Sequence, residues 1–148
     1  MKLSTKGRYG TRVLLYLALH SGEGHVQLKD IAARERISLP YLEQIIGSLI
    51  AAGMVRSMRG ARGGVWLAKS PGEIRLSEVI GALEGSIAPV DCVDDAAVCS
   101  RSGFCVAREL WNEMKVAMDG VLESITLQDL VDRHDKKSGK ISEEIYQI

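Results

Sequence analysis

The sequence predicts a mainly α-helical chain carrying one small β-hairpin, on three observations. Apolar residues return at helical spacing in successive stretches between Tyr9 and Ile125, and two short β-prone runs flank a glycine-rich link at 59–64. Charge is also divided: residues 1–75 hold 12 Lys and Arg against 5 Asp and Glu, and residues 76–148 hold 7 against 14. A formally neutral chain is thus a basic half joined to an acidic half, as expected when one half meets a polyanion and the other does not. With 148 residues there is room for one core and an appended element, not for two large domains.

Tyr9, Val13, Tyr16 and Leu17 make a first helix from roughly Thr5 to His20, buried on most of its circumference. After the turn Ser21-Gly22-Glu23-Gly24, the spacing of Leu28, Ile31, Ala32 and Glu35 predicts a short second helix from about Gln27 to Glu35. Arg36 and Ile37 lead to Ser38, a good N-cap, with Pro40 in the first turn of a third helix that Gly53 stops. Leu42, Ile45, Ile46, Leu49 and Ile50 form its core stripe, while Pro40, Glu43, Gln44, Gly47 and Ser48 project from the opposite side. Two helices joined by so short a turn match the helix-turn-helix, whose second helix enters the major groove of DNA.

Residues 54–58 and 65–68 then read as the strands of a hairpin closed by Ser70-Pro71-Gly72. A basic hairpin directly after a helix-turn-helix is a wing, and the order of the pieces carries the inference more than any one of them. Leu76, Val79, Ile80 and Leu83 make a fourth helix ended at Gly85, and residues 86–103 show no periodicity. From Phe104 a long helix begins, with Ala107, Trp111, Met114, Met118, Val121 and Ile125 as a seam able to pair with a second copy or with its own domain. Pairing is favoured, because helix-turn-helix proteins read paired half-sites. The expected units are a winged helix-turn-helix DNA-binding domain at 1–75, a cysteine-bearing loop with dimerisation helices at 76–131, and a polar, disordered tail at 132–148.

On the third helix, Gln44 has the geometry to bond adenine and Glu43 to accept from cytosine, while Gly47 leaves room for close approach. Ser38, Pro40, Tyr41 and Ser48 complete that helix's candidate DNA contacts. Arg59 and Arg62 sit on a hairpin narrow enough for a minor groove, and Lys6, Arg8 and Arg12, with Arg56 and Lys69, are candidates for phosphate contacts. The expected partner is therefore a double-stranded, pseudo-palindromic DNA operator bound by a homodimer.

The longest apolar run, Val13 to Leu19, is far short of the about 20 residues that a membrane span needs, and no secretory signal is visible. A cytoplasmic protein without membrane partners is expected. No Ser/His/Asp set, paired carboxylates or phosphate loop is recognisable, and the run 59–64 lacks the lysine of such a loop, so an enzyme is not expected. The cysteines, Cys92, Cys99 and Cys105, all fall within the acidic half, and an odd count argues for metal or redox chemistry over a disulfide framework. His20, His25 and His134 have no spacing tie to them and read as structural or surface residues.

The opening KLSTKGRYG, the segment ISLPYLEQI, the wing segment SMRGARGGV, the placement of the three cysteines and the following ELW together resemble the IscR/NsrR family of iron–sulfur transcription regulators. The likeness covers about residues 1–131 and implies a homodimer with a winged helix in each subunit. It further implies an iron–sulfur cluster (4Fe-4S or 2Fe-2S) on Cys92, Cys99 and Cys105 that alters operator binding, with Glu43 and Gln44 reading bases and Arg59 in the minor groove. The chain departs from these relatives at the fourth ligand. Arg108 stands where IscR-like members carry histidine, and Arg8 where others supply an acidic side chain. The first gap of C-x6-C-x5-C is one residue longer than the commonest form. Glu109, Asp91, Asp94, Asp95, a partner-chain residue, a small molecule or an open position remain for that role, and three thiolates with one other ligand also suit a zinc site or a thiol switch.

Overall fold

The computed structural model describes residues 2–147; Met1 of the expected DNA-binding unit and Ile148 of the expected tail lie outside the described residues. The elements follow in the order α1 (Thr5–Leu19), α2 (Leu28–Glu35), α3 (Leu39–Ala51), β1 (Val55–Met58), β2 (Gly64–Leu67), α4 (Leu76–Glu84), α5 (Asp91–Asp94), α6 (Val106–Ser124) and α7 (Leu127–Tyr146). Single 3-10 turns occupy Pro71–Glu73 and Ala96–Val98. A winged helix-turn-helix at the head of a mainly helical chain is thus what the sequence folds into.

Ser4 caps α1, its hydroxyl accepting from the Gly7 amide at 3.4 Å. Gly7 and Gly10 present bare backbone to α4: a Cβ at Gly7 would run into the Glu84 carboxyl, and one at Gly10 into the Leu83 methyls. The two helices therefore lie against each other closely. Arg36, with φ 55, makes the left-handed residue that turns α2 into α3, and Ser38 opens α3 by accepting from the Tyr41 amide at 3.3 Å.

Val13, Leu14, Leu17, Ile31, Leu42, Ile45, Leu49, Val55, Val65, Ile74, Val79 and Leu127 are packed into one cluster and are almost fully shielded from water. Ile50, expected in the core stripe of α3, is 39% exposed, because it sits at the helix end beside the hairpin. The expected boundary after residue 75 runs through this shared core, since the apolar stripe of α4 has α1 and α3 to pack against and no separate core of its own.

The chain returns to the head at the far end of α6. The Leu76 amide donates to Ile125 O at 2.9 Å and the Leu127 amide to Ile74 O at 2.8 Å. Thr126 and Asp129 cap α7 reciprocally: the Thr126 amide donates to Asp129 Oδ2 at 2.8 Å, and the Asp129 amide to Thr126 Oγ1 at 3.2 Å. Once nucleated there, with Leu127, Leu130 and Val131 against the core, the helix runs on to Tyr146. Residues 132–147 are accordingly helical and not the expected disordered tail, although every described side chain from Asp132 onward is exposed. Long solvated Lys, Glu and Gln side chains lose little freedom in a helix, so polarity alone did not mark a coil.

The seam expected on α6 is split. Trp111, Met114 and Met118 are half-buried, Ala107 and Val121 are exposed, and Ile125 lies beyond the helix end against the core. A second apolar face, with Val106 and Leu110 near the helix start and Val116 and Val121 further on, stands in solvent. No helix among the described residues is long and apolar enough to cross a membrane.

Candidate nucleic-acid interface and cysteine loop

Helix α3 and the hairpin enclose a cleft of about 510 Å³ whose lining includes Glu43, Gly47 and Ile50 from the helix and Met58 and Arg59 from the wing. Two of the residues expected to read or hold DNA, Glu43 and Arg59, thus share one concave surface. Pro40 and Gln44 are exposed along the same helix, outside the cleft lining. Ser38 and Ser48 commit their hydroxyls to α3 itself, the first as N-cap and the second donating to Gln44 O at 3.3 Å.

The wing is built by glycines and pinned from outside. Gly60 and Gly64 have φ of 107 and 150, and a Cβ on Gly64 would lie 2.6 Å from Val26 O. The strands pair antiparallel with Arg56 opposite Trp66, and Val26 adds a bridge to Val65 through bonds of 3.0 and 2.8 Å. His25 stacks on Trp66 with ring centroids 4.1 Å apart, its Nδ1 3.3 Å from Arg62 O, and Gln27 Nε2 donates to Ala61 O at 3.4 Å. His25, Gln27 and Trp66 hold the wing in place without any motif to announce it. The one sequence signal was the β-prone Val26 standing before α2.

Of the phosphate candidates, Arg8, Arg56 and Lys69 are exposed and Lys6 is half-buried. Arg12 is exposed as well, and it is paired: its Nη2 lies 2.6 Å from Glu35 Oε2 and its guanidinium sits 5.3 Å over the Tyr9 ring. Tyr41 meets that ring edge-on at 6.4 Å and is half-buried. Arg12 thus joins α1 to α2 and Tyr41 joins α3 to α1, beside any surface role. Arg62 is exposed at the wing tip.

Beyond Gly85, with φ 75, the loop from Ser86 to Cys105 is held mainly by local turns: Asp95 N to Asp91 O at 3.0 Å, Val98 N to Asp95 O at 3.3 Å, Ser102 N to Cys99 O at 3.2 Å and Phe104 N to Arg101 O at 3.1 Å. Arg108 ties it to α6, its Nε donating to Cys92 O at 2.7 Å. At the position where the resemblance called for a histidine ligand, this chain has a clamp on the loop backbone. Cys92 and Cys105 are half-buried, Cys99 is exposed, and all three thiols are free. On α6, Lys115 is held above its ordinary 10.5, first by its 2.6 Å hydrogen bond to Asp119, against the opposing effect of burial, and then by the charges of Asp119, Asp94 and Glu123. Asp94 therefore faces an ammonium, and Asp95 accepts from the Ala97 amide at 2.9 Å. Asp91 and Glu109 are exposed.

In kind, this donor set fits an iron–sulfur group, with three free thiols within one loop. In arrangement it is not preassembled, for among the described residues no three His, Cys, Asp or Glu side chains come together as a metal-holding group.

Residues 3–133 match the model of the family Rrf2, described as an iron-dependent transcriptional regulator. The HTH-type transcriptional regulator CymR of Bacillus subtilis is 42% identical over 135 residues, which are 91% of this chain and 93% of that one. The solved structure titled as CymR, the global cysteine regulator of B. subtilis, superposes with a TM-score of 0.75 at 41% identity, covering 90% of this chain and 98% of that one. A solved IscR of T. potens superposes with a TM-score of 0.76 at 42% identity, covering 93% and 90%.

Proposed function

From the premise that the chain belongs to the Rrf2 family of transcriptional regulators, we propose that it is a cytoplasmic, homodimeric DNA-binding regulator whose operator affinity is set by an iron–sulfur cluster on Cys92, Cys99 and Cys105. The observation that carries the DNA half is the cleft shared by Glu43 and Gly47 of α3 with Arg59 of the wing. An α-helix fills a major groove while a narrow arginine-bearing hairpin reaches the adjacent minor groove, so one rigid head contacts both. The exposed face of α6 with Val106, Leu110, Val116 and Val121 would be covered by a second copy, giving two heads for a pseudo-palindromic operator.

Cys92, Cys99 and Cys105 would hold the cluster, which would supply metal–sulfur bonds sensitive to oxidants, nitric oxide and iron shortage. The residues of this chain do the rest. Glu84 closes α4 immediately before the Gly85 turn, and its carboxylate accepts from the Ser4 amide at 2.9 Å, the Ser4 hydroxyl and the Gly7 amide at 3.0 Å. The start of the cysteine loop is in this way fastened to the start of α1, where Lys6 and Arg8 stand. Arg108 fastens the other end to α6. A loop that changes shape pulls on both anchors, and the operator-bound state is favoured only by the difference in affinity between the two loop states.

A second reading, a thiol switch or a zinc site, draws on the exposure of Cys99, the separate placement of the three thiols and the likeness to CymR. Anaerobic purification decides between them. Brown protein with iron and acid-labile sulfide in similar amounts supports the cluster; colourless protein with stoichiometric zinc, or with no metal and a disulfide formed on oxidation, supports the second reading. For the DNA half, affinity for operator fragments must fall steeply with added salt, as phosphate neutralisation requires.

A further inference from the structure

Residues 56–62 are exposed, so the wing tip reaches into solvent with no core of its own. The strands pair only as far as Met58 opposite Gly64, and the tip beyond them closes on one amide bond, Gly63 N to Gly60 O at 3.0 Å. Gly60 and Gly63 widen the range of conformations open to such a tip. A loose tip loses backbone freedom on entering a groove, and that loss weakens binding. Both central carbonyls of this tip are nonetheless held, and from outside the hairpin. Gln27 Nε2 donates to Ala61 O at 3.4 Å, and His25 Nδ1 lies 3.3 Å from Arg62 O. A carbonyl only accepts, so Nδ1 carries the proton in that contact. The His25 ring is further stacked on Trp66, with centroids 4.1 Å apart and planes 14° from parallel.

Surface bonds of this length add little to folding. The base of the wing is already tied to Val26 by bonds of 3.0 and 2.8 Å, and Val65 is buried in the common core. What the two side chains fix is the shape of the tip between Arg59 and Arg62. Gln27 also lines the cleft with Glu43 and Arg59, so this brace stands at the candidate DNA surface itself. We propose that His25 and Gln27 are positioning residues for DNA binding: they hold the wing tip ready for a minor groove before DNA arrives, so that Arg59 enters without the loop being ordered first. This rests on the reading of Arg59 as the minor-groove residue. Neither side chain has to touch DNA, since each acts through the tip that it holds. A loop held in its bound shape binds more tightly because the ordering cost is removed.

The test uses the full-length chain and a duplex that the parent enriches from random-sequence DNA. Each flanking base pair is replaced in turn by guanine·cytosine or by inosine·cytosine. The two present the same major groove, and only guanine puts an amino group in the minor groove. The parent should prefer inosine at the pairs beneath the wing. The double variant His25→Ala with Gln27→Met should melt with the parent, bind the enriched duplex about tenfold more weakly, and lose that preference. His25→Asn, whose side-chain amide nitrogen can stand where Nδ1 does, should regain part of what His25→Ala loses. In chains that carry Arg59→Ala, the same substitutions should cost nothing further. A double variant that binds and discriminates as the parent does overturns the proposal. So does a loss that leaves the preference for inosine intact, or one that persists in full beside Arg59→Ala. A lowered melting temperature would make the pair part of the fold's support and overturn it too. A parent indifferent to inosine and guanine at every flanking pair removes the minor-groove reading of Arg59 and this proposal together. A parent that enriches no sequence, as purified or after anaerobic reconstitution with iron and sulfide, removes the DNA-binding reading as well. The parent's own binding thus tells those failures from failure of the brace.

Discussion

The reading head and the cysteine loop are neighbours in one small molecule, held by different physics. The head is over-determined: one apolar core joins α1 to α4, the hairpin and Leu127, and Gly7 and Gly10 allow helix contacts that any side chain would block. The loop from 86 to 105 rests on local turns and the Arg108 clamp. A regulator needs both kinds of structure. On the proposed function, the part that reads DNA keeps its shape, and the part that senses has more than one shape at similar free energy.

The largest effects should separate the two regions by stability alone. Leu42→Ala, at a fully buried side chain, should destabilise the iron-free chain by about 2–5 kcal/mol in urea unfolding, whereas Val98→Ala in the loop should stay within about 0.5 kcal/mol. Glycines sharpen the contrast. Gly10→Ala drives a methyl into Leu83 and should cost about 1–3 kcal/mol. Gly103→Ala meets nothing within 4 Å, its φ is not positive, and it should leave melting unchanged or raise it slightly. Equal losses for the two glycines would mean that the loop is as tightly packed as the head.

Within the head, the proposed contacts divide reading from holding. Glu43→Ala should reduce discrimination between operators that differ at one base pair by about 1–3 kcal/mol, measured by competition binding. Arg8→Ala should weaken all sequences alike and lower the salt slope of log affinity by about one, as loss of a phosphate contact does. If Arg8→Ala instead changes the preferred sequence, base reading extends to α1 and the division is wrong.

Much of the head was legible because its signals are local. The stripe Leu42, Ile45, Ile46 and Leu49, the Ser38 cap and the wing glycines each state a conformation within a few residues, and the structure has them in those roles. What escaped depends on distant partners. Only the β-prone Val26 between them hints that His25 and Gln27 brace a hairpin about forty residues on, and Arg12 reads as free charge until Glu35 and Tyr9 are brought beside it. The seam on α6 was ambiguous because the helix carries apolar residues on two faces, one toward its own domain and one toward solvent. For α7 the capping pair Thr126 and Asp129 fixes the helix start, and the polar run beyond it reads by composition as a tail.

The smallest expected effect tests whether α7 belongs to the head or only leans on it. The Asp129 carboxyl is held below its ordinary 3.8, chiefly by the Thr126 amide, then by the Thr126 hydroxyl, with Arg133 adding its charge against the opposing effect of burial. A carboxyl lowered on folding stabilises the folded state above its unfolded value, and that contribution is lost as pH falls through the folded value. Between pH 7 and 5 the cap should therefore be intact, and below the ordinary carboxylate range the first turn of α7 should loosen. Amide exchange at Asp129 and Leu130, whose N–H groups bond Thr126, should speed up on acidification beyond the intrinsic trend, and in Asp129→Asn it should be faster at pH 7 and show less of that acid response. If Leu127, buried in the common core, loses protection in step with them, α7 is an integral part of the head. If Leu127 stays protected while the cap opens, the core holds the helix start independently and the capping pair only sets the direction in which the helix leaves.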